Sequence, residues 1–208
     1  MMFPRLTLSD LARIATFAAI IAVLGLPGAI PVAGGAVPIT LQTLGVMLAG
    51  TILGWRRAPI AILVLLVLVA AGLPLLSGGR GGFGVFLGPS AGYLIGWVFG
   101  AAVIGLIARS PKSARPSWWR VALGSVVGGI VVVYAVGIPV QSLVTGVPLG
   151  ATALLSLVFV PGDLIKVVLA TLLTVAVWRS YPRAFDAGRS DRSPRVASSS
   201  ITTELAGE

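Results

Sequence analysis

Six apolar stretches follow one another along the chain, at about 8–26, 38–53, 58–73, 89–107, 119–143 and 158–178. A helix of about 20 apolar residues crosses the hydrocarbon core of a bilayer, and somewhat shorter segments suffice inside a bundle. Composition agrees, since 57% of the 208 residues are hydrophobic and 10% are charged. That leaves too little polar surface to cover a soluble domain of this size. The expected fold is all-α, a polytopic membrane protein built as a compact bundle of six transmembrane helices. The opening residues "MMFPRLTLSD" run straight into the first stretch without a recognisable cleavage site, so no removable signal peptide is expected.

Two kinds of connector separate the stretches. Those at 27–37, 74–88 and 144–156 are rich in Gly and Pro and nearly uncharged, whereas "WRR" (55–57) and "ARSPKSARPSWWR" (108–120) are basic. Of the fifteen Lys and Arg residues, all but Arg80 and Lys166 fall in the N-terminus, the two basic connectors or the C-terminal region. The positive-inside rule then puts both termini in the cytoplasm, at a cell membrane. It also accounts for the net charge of +9 without nucleic acid, for which no basic face interleaved with aromatics exists. Trp118, Trp119 and Trp178 sit beside Arg120 and Arg179, as interfacial anchors do. The expected division is a membrane domain over 1–180 and a polar, Ser-rich, disordered and dispensable tail over 181–208.

The residue inventory excludes most chemistry. The chain has no Cys and no His, hence no thiol nucleophile, disulfide, haem ligation by His or imidazole acid–base work. Of six acids, Asp186, Asp191, Glu204 and Glu208 lie in the tail, and Asp10 stands at the entrance of the first helix, where a solvent-facing N-cap is expected. Asp163 alone remains at membrane depth. Neither paired carboxylates nor a metal cage can be built from it, so no enzyme, metal or cofactor is expected. Glycine-rich 78–88 lacks the Gly-Lys-Ser/Thr element of a phosphate loop. An irregular segment near membrane depth has to be buried by protein or line a cavity, and a lid over a small ligand fits it better.

Asp163 and Lys166 stand out within "PGDLIK" (161–166). A separation of three residues is a rise of about 4.5 Å and a turn near 300°, so both side chains share one face. Pro161 and a first-turn acid suit a helix start, and Lys166 could snorkel. Yet an ionisable pair inside a span costs roughly 2.5–3.5 kcal/mol per group on insertion scales, which points to a site. Arg80 is either a solvated loop residue or a second cation over that site, suited to a carboxylate. Thr40, Gln42 and Thr43, Ser90 and Tyr93, and Tyr134 and Gln141 fall at the same ends of other spans. They outline a pocket with neutral hydrogen-bonding groups and an aromatic wall. In the first helix Ala15/Ala19 and Ala18/Ala22 are small residues at four-residue spacing, for close packing inside the bundle or for docking a membrane partner. Gly124/Gly128 repeats the signal, read as internal packing.

The segments "VPITLQTLGVMLAG" (37–50), "AGLPLLSGGRGGFGVFLGPSAGYLIGW" (71–97), "YAVGIPV" (134–140) and "PGDLIK" together resemble the BioY family. That family supplies the biotin-binding S component of vitamin transporters of the energy-coupling factor (ECF) type. The resemblance covers about residues 9–178. This chain reads "GPSAGY" where the family commonly has Gly-Pro-Thr-Gly-Gly-Tyr, Val140 where it often has Trp, and Val158 where it often has Pro. What the resemblance implies is a six-helix bundle that binds biotin from outside and lacks its own ATP site. Lys166 and Arg80 would meet the valerate carboxylate, and Asp163 the ureido N–H groups with Gln42 or Ser90 as neutral partners. Tyr93 would wall the bicycle. Ala15, Ala18, Ala19 and Ala22 would face a transmembrane coupling subunit that carries two ATPase subunits. An S component for another small vitamin, or a biotin carrier acting without coupling subunits, is the alternative. A cationic vitamin such as thiamine would be poorly served by Lys166 and Arg80.

Overall fold

The computed structural model describes residues 6–27, 37–109 and 116–185. Parts of the first uncharged and second basic connectors (28–36 and 110–115) and the tail beyond 185 lie outside the described residues. Among the described residues the fold is all-helical, without a β-strand. Its long helices are α1 (Leu8–Val23), α2 (Gln42–Leu53), α3 (Arg57–Ala70), α4 (Ala91–Ala108), α5 (Trp118–Thr145) and α6 (Leu149–Ser180). By length and composition α4, α5 and α6 are long and apolar enough to cross a membrane, while α2 and α3 are apolar but shorter.

Local chemistry accounts for several helix ends. Thr7 caps α1, and its hydroxyl accepts from the Asp10 N–H while Asp10 Oδ2 accepts from the Thr7 N–H at 3.1 Å. This reciprocal box satisfies two orphan donors. It corrects the expectation for Asp10, which is the third residue of the helix rather than its cap, and is buried. Its carboxylate binds Arg57 at the start of α3, with Nε to Oδ1 at 2.9 Å and Nη2 to Oδ2 at 3.1 Å.

The segment 144–156, expected as a loop, is mostly helix. The chain reverses at Gly146 and re-enters helix at Leu149. A tighter turn at Leu157–Phe159 then precedes Pro161. Proline has no N–H to give and its ring crowds the carbonyl four residues back, so regular winding is interrupted there. On the outer side of α6, Leu164, Ile165, Val168, Leu169, Leu172 and Leu173 are exposed. The opposite face buries Asp163, Lys166, Val167, Ala170 and Thr174. A helix whose outward face is this apolar suits lipid rather than water.

The closest helix contact joins α4 and α5. Gly92, Gly96 and Gly100 form a stripe at four-residue spacing on α4, lying against Val136 and Val140, Val133, and Gly128. A Cβ on Gly100 would stand 2.5 Å from the Gly128 carbonyl oxygen, and a Cβ on Gly128 would stand 2.5 Å from that of Gly100. Only a missing side chain permits that approach. Gly124, one turn earlier, meets the Ile104 carbonyl and Ala108, so the Gly124/Gly128 pair packs internally as expected. Within α5, Val127–Val132 is wound as a π turn. Taking up an extra residue rotates everything beyond it by about 100°. Tyr134, Gly137 and Gln141 lie on that rotated half.

The ends of the bundle differ in charge. At one, Asp10 and Arg57 pair, Arg120 Nε donates to the Ile107 carbonyl at 2.9 Å, and Arg109 Nη1 donates to that of Ile52 at 2.9 Å. Arg109 also reaches the Phe185 carbonyl and lies over the Phe185 ring. Phe185 is buried in a short helical turn, Pro182–Phe185, that folds back after α6. Structure therefore continues five residues past the expected boundary at 180. An aromatic anchor with an arginine above it holds the segment in place.

Gly100→Val and Gly128→Val should each abolish the monodisperse detergent-extracted species in size-exclusion chromatography, because backbone faces backbone there. Gly150→Ala, with open space around it, should leave the profile unchanged. Phe185→Ala should lower the thermal midpoint without preventing assembly.

Candidate binding site

The end opposite the arginines gathers the starts of α2 and α4, the end of α5 and the first half of α6. Asp163 is its hub. Lys166 Nζ donates to Asp163 Oδ1 at 2.8 Å, and the Tyr134 hydroxyl donates to Oδ2 at 2.6 Å. Asp163 and Lys166 are only 4% and 5% exposed. Two charges taken out of water cost several kcal/mol each unless they are paired and hydrogen-bonded. The ion pair and the phenol meet that requirement while leaving lone pairs on both carboxylate oxygens.

Tyr93 is buried in the first turn of α4. Its ring rests on Gly137, where a Cβ would come within 2.4 Å of ring carbon. Its hydroxyl donates to Gln141 Oε1 at 2.8 Å and lies 3.2 Å from Ser156 Oγ. Ser156 in turn donates to the Thr152 carbonyl at 2.8 Å. Tyr93 and Tyr134 meet edge to face with centroids 6.2 Å apart, a favoured aromatic geometry. These two rings connect the α4 polar cluster to Asp163. Thr152 and Ser156, both buried, were hidden from sequence reasoning by the loop expected at 144–156. Their four-residue spacing was the available signal.

Arg80 lies in the glycine-rich connector, which is more ordered than its composition suggests. Leu76 and Arg80 exchange backbone hydrogen bonds at 3.0 and 3.2 Å across a turn in which Gly78 and Gly79 have φ of 76° and 69°. That conformation strains residues with a Cβ. The guanidinium donates to the Ser77 carbonyl at 3.2 Å and to Ser90 Oγ at 3.3 Å. No ion pair to Arg80 forms among the described residues. Burial pushes its guanidinium below its usual pKa.

Gln42 has a different task from the one expected. Its side chain donates to the carbonyls of Ile21 at 3.2 Å and Leu75 at 3.1 Å, and its Oε1 accepts from the Ser77 N–H at 3.0 Å. Three of its four hydrogen-bonding positions hold α1 and the Arg80 connector in place, so it supports the site through backbone. Thr40 accepts from the Gln42 N–H at 3.3 Å. The alanines of α1 divide. Ala18 is buried and Ala22 packs against the core, whereas Ala15 and Ala19 are exposed. The exposed face of α1 is therefore carried by Ala15 and Ala19, since the helix turns the other pair inward.

Comparison with known proteins decides the lineage: residues 2–183 match the BioY family. The chain belongs to the BioY family. It is 48% identical over 177 residues to the biotin transporter BioY of Rhizobium etli, spanning 83% of this chain and 95% of that relative. It is 47% identical over 185 residues to the biotin transporter BioY of Rhodobacter capsulatus, spanning 84% and 96%. A solved structure of the S-component for biotin from an ECF-type ABC transporter superposes with a TM-score of 0.76 at 34% identity. It covers 86% of this chain and 95% of that one. Membership of the BioY family carries this S-component fold, and the departure at Ser90 keeps the hydroxyl that Arg80 uses.

Lys166→Met alone should destabilise the detergent-solubilised protein by about 3–5 kcal/mol, because it strands a buried carboxylate. Lys166→Met combined with Asp163→Asn should recover much of that loss. Thermal unfolding of the single and double variants measures the difference.

Proposed function

We propose that this chain captures biotin at the Asp163 end of the bundle, from the external side, and serves as the substrate-specific component of an ECF transporter in the cell membrane. The observation that carries this reading is the buried Asp163–Lys166 pair in a bundle whose relatives are biotin transporters, with Arg80 a cation that no acid pairs among the described residues. Biotin is an anion with a neutral ureido ring, and both parts find complements. Asp163 keeps lone pairs for the ureido N–H groups. Arg80, with no carboxylate partner among the described residues, meets the valerate carboxylate beside Ser90. Lys166 pairs with Asp163 and adds positive charge. Tyr93 and Tyr134 wall the apolar bicycle.

Six spans with both termini cytoplasmic fit the charge pattern. All the arginines described above except Arg80 sit at the end where α1, α3 and α5 begin, as positive-inside topology requires of a cytoplasmic face. The exposed Ala15/Ala19 face of α1 is the proposed contact for the transmembrane coupling subunit, which in turn carries two ATPase subunits. Small residues there would let a partner helix approach closely.

Titration of the purified protein with biotin, desthiobiotin and thiamine tests the proposal. Saturable binding of biotin below micromolar concentration with no response to thiamine is expected, and its absence would overturn the biotin reading. Arg80→Ala should weaken biotin roughly 10- to 100-fold, the range of a charge-assisted hydrogen bond, with little change in membrane expression. Asp163→Asn combined with Lys166→Met, which removes both buried charges, should reduce binding far more than expression. Ala15→Leu with Ala19→Leu should leave biotin binding intact and block co-purification with the coupling subunit.

A further inference from the structure

Three buried polar groups near the site have no partner among the described residues: the Ser77 hydroxyl in the Arg80 connector, the Trp97 indole N–H on α4 and the Thr43 hydroxyl on α2, of which the last two lie on helices. Buried donors are almost always satisfied, so each orphan calls for an explanation.

Their neighbours show where they point. Trp97 shares a face of α4 with Ile104, two turns on, which touches both Gly50 of α2 and Gly128 of α5. Thr43 shares a face of α2 with Met47 and Gly50, which touch Gly129 of α5 and Ile104 of α4 respectively. Residues four and seven apart lie on one helical face. Trp97 belongs to the core cluster that holds Val46 of α2, Tyr93 of α4 and Val133 of α5, so Trp97 and Thr43 both lie on the helix faces that meet where α2, α4 and α5 pack. Their levels agree as well. Gly50 lies beside Ala101 and Ile104, which puts Thr43 at the depth of Trp97. Gly96 lies beside Val133 in antiparallel register, which puts Trp97 within about one helical turn of Tyr134 along the axis, whose hydroxyl holds Asp163.

We infer that Trp97 Nε1 and Thr43 Oγ1 form a neutral subsite, one turn below Tyr93, that donates to an uncharged acceptor on the ligand. Under the biotin reading, on which this rests, the acceptor is the ureido carbonyl oxygen. Asp163 takes the adjacent ureido N–H groups, so the ring's donors and acceptor are read from different helices. Two neutral donors suit a carbonyl, which carries no full charge to balance. They also leave an apolar isostere of the ring poorly matched, because the donors then stay buried and unpaired.

Trp97→Phe and Thr43→Val keep most of the volume and remove the donors. Binding is measured on the folded, monodisperse fraction, with biotin and with 2-thiobiotin, whose thiocarbonyl is a weak acceptor. Each variant should bind biotin about three- to tenfold more weakly, as for one neutral hydrogen bond, with an unchanged or higher thermal midpoint. Wild type should prefer biotin to 2-thiobiotin, and the double variant should lose that preference. Wild-type biotin affinity in both variants, or an undiminished preference in the double variant, would overturn the subsite while leaving the biotin reading intact. Failure of wild type to bind biotin would remove both.

Discussion

The contact between the backbones of α4 and α5 is the constraint on which the rest of the bundle depends. Gly100 and Gly128 face each other where neither could carry a Cβ, so the axes approach more closely than side chains would allow. That approach lays Tyr93 on Gly137, sets its hydroxyl against Gln141, and leaves its ring edge to face with Tyr134. Beyond the π turn, α5 then presents Tyr134 to Asp163 on α6. In lipid there is no hydrophobic drive to bring helices together, so close packing and buried polar contacts hold the bundle. The glycine seam supplies the first and the Asp163 hub the second.

Electrostatics divides the molecule into two ends with different rules. At the arginine end, Arg57 pairs with Asp10 and the guanidinium groups of Arg109 and Arg120 bind helix-terminal carbonyls. These carbonyls lack intrahelical partners, so cations there close the helices. At the other end, Asp163 and Lys166 satisfy each other, and Arg80 has only a carbonyl and a hydroxyl. A half-buried positive charge with neutral partners attracts an anion and does little to hold helices. The same residue type therefore closes helices at one end, while at the other it is the cation that the proposed function assigns to an anionic ligand.

Much of this was legible in the linear chain because membrane insertion is a local property of apolar runs. Each expected stretch corresponds to a helix, and the pairing of Asp163 with Lys166 follows from helical spacing. The misreadings share a cause. Asp10 looked like an exposed cap because its partner Arg57 lies on another helix. Gln42 looked like a ligand group because the carbonyls of Ile21 and Leu75 that occupy it are remote in sequence. The segment 144–156 looked like a loop because Gly and Pro flank it, whereas Pro148 only starts the helix that follows. Phe185 looked like part of a polar tail because its anchor, Arg109, comes from another part of the chain.

By itself, the sequence determined the all-α class, the apolar runs, the asymmetry of basic charge, the exclusion of thiol and imidazole chemistry, and the acid–base pair on one face of a helix. Each depends on composition or on neighbours within one or two turns. Tertiary structure alone decided that Arg80 has no counter-ion among the described residues, that Gln42 braces backbone, that Ala15 and Ala19 face outward while Ala18 faces in, and that Thr43 and Trp97 share an interior level. Those outcomes depend on the rotation of each helix about its own axis. Glycine contacts and a π turn set that rotation across chain separations that no local pattern encodes.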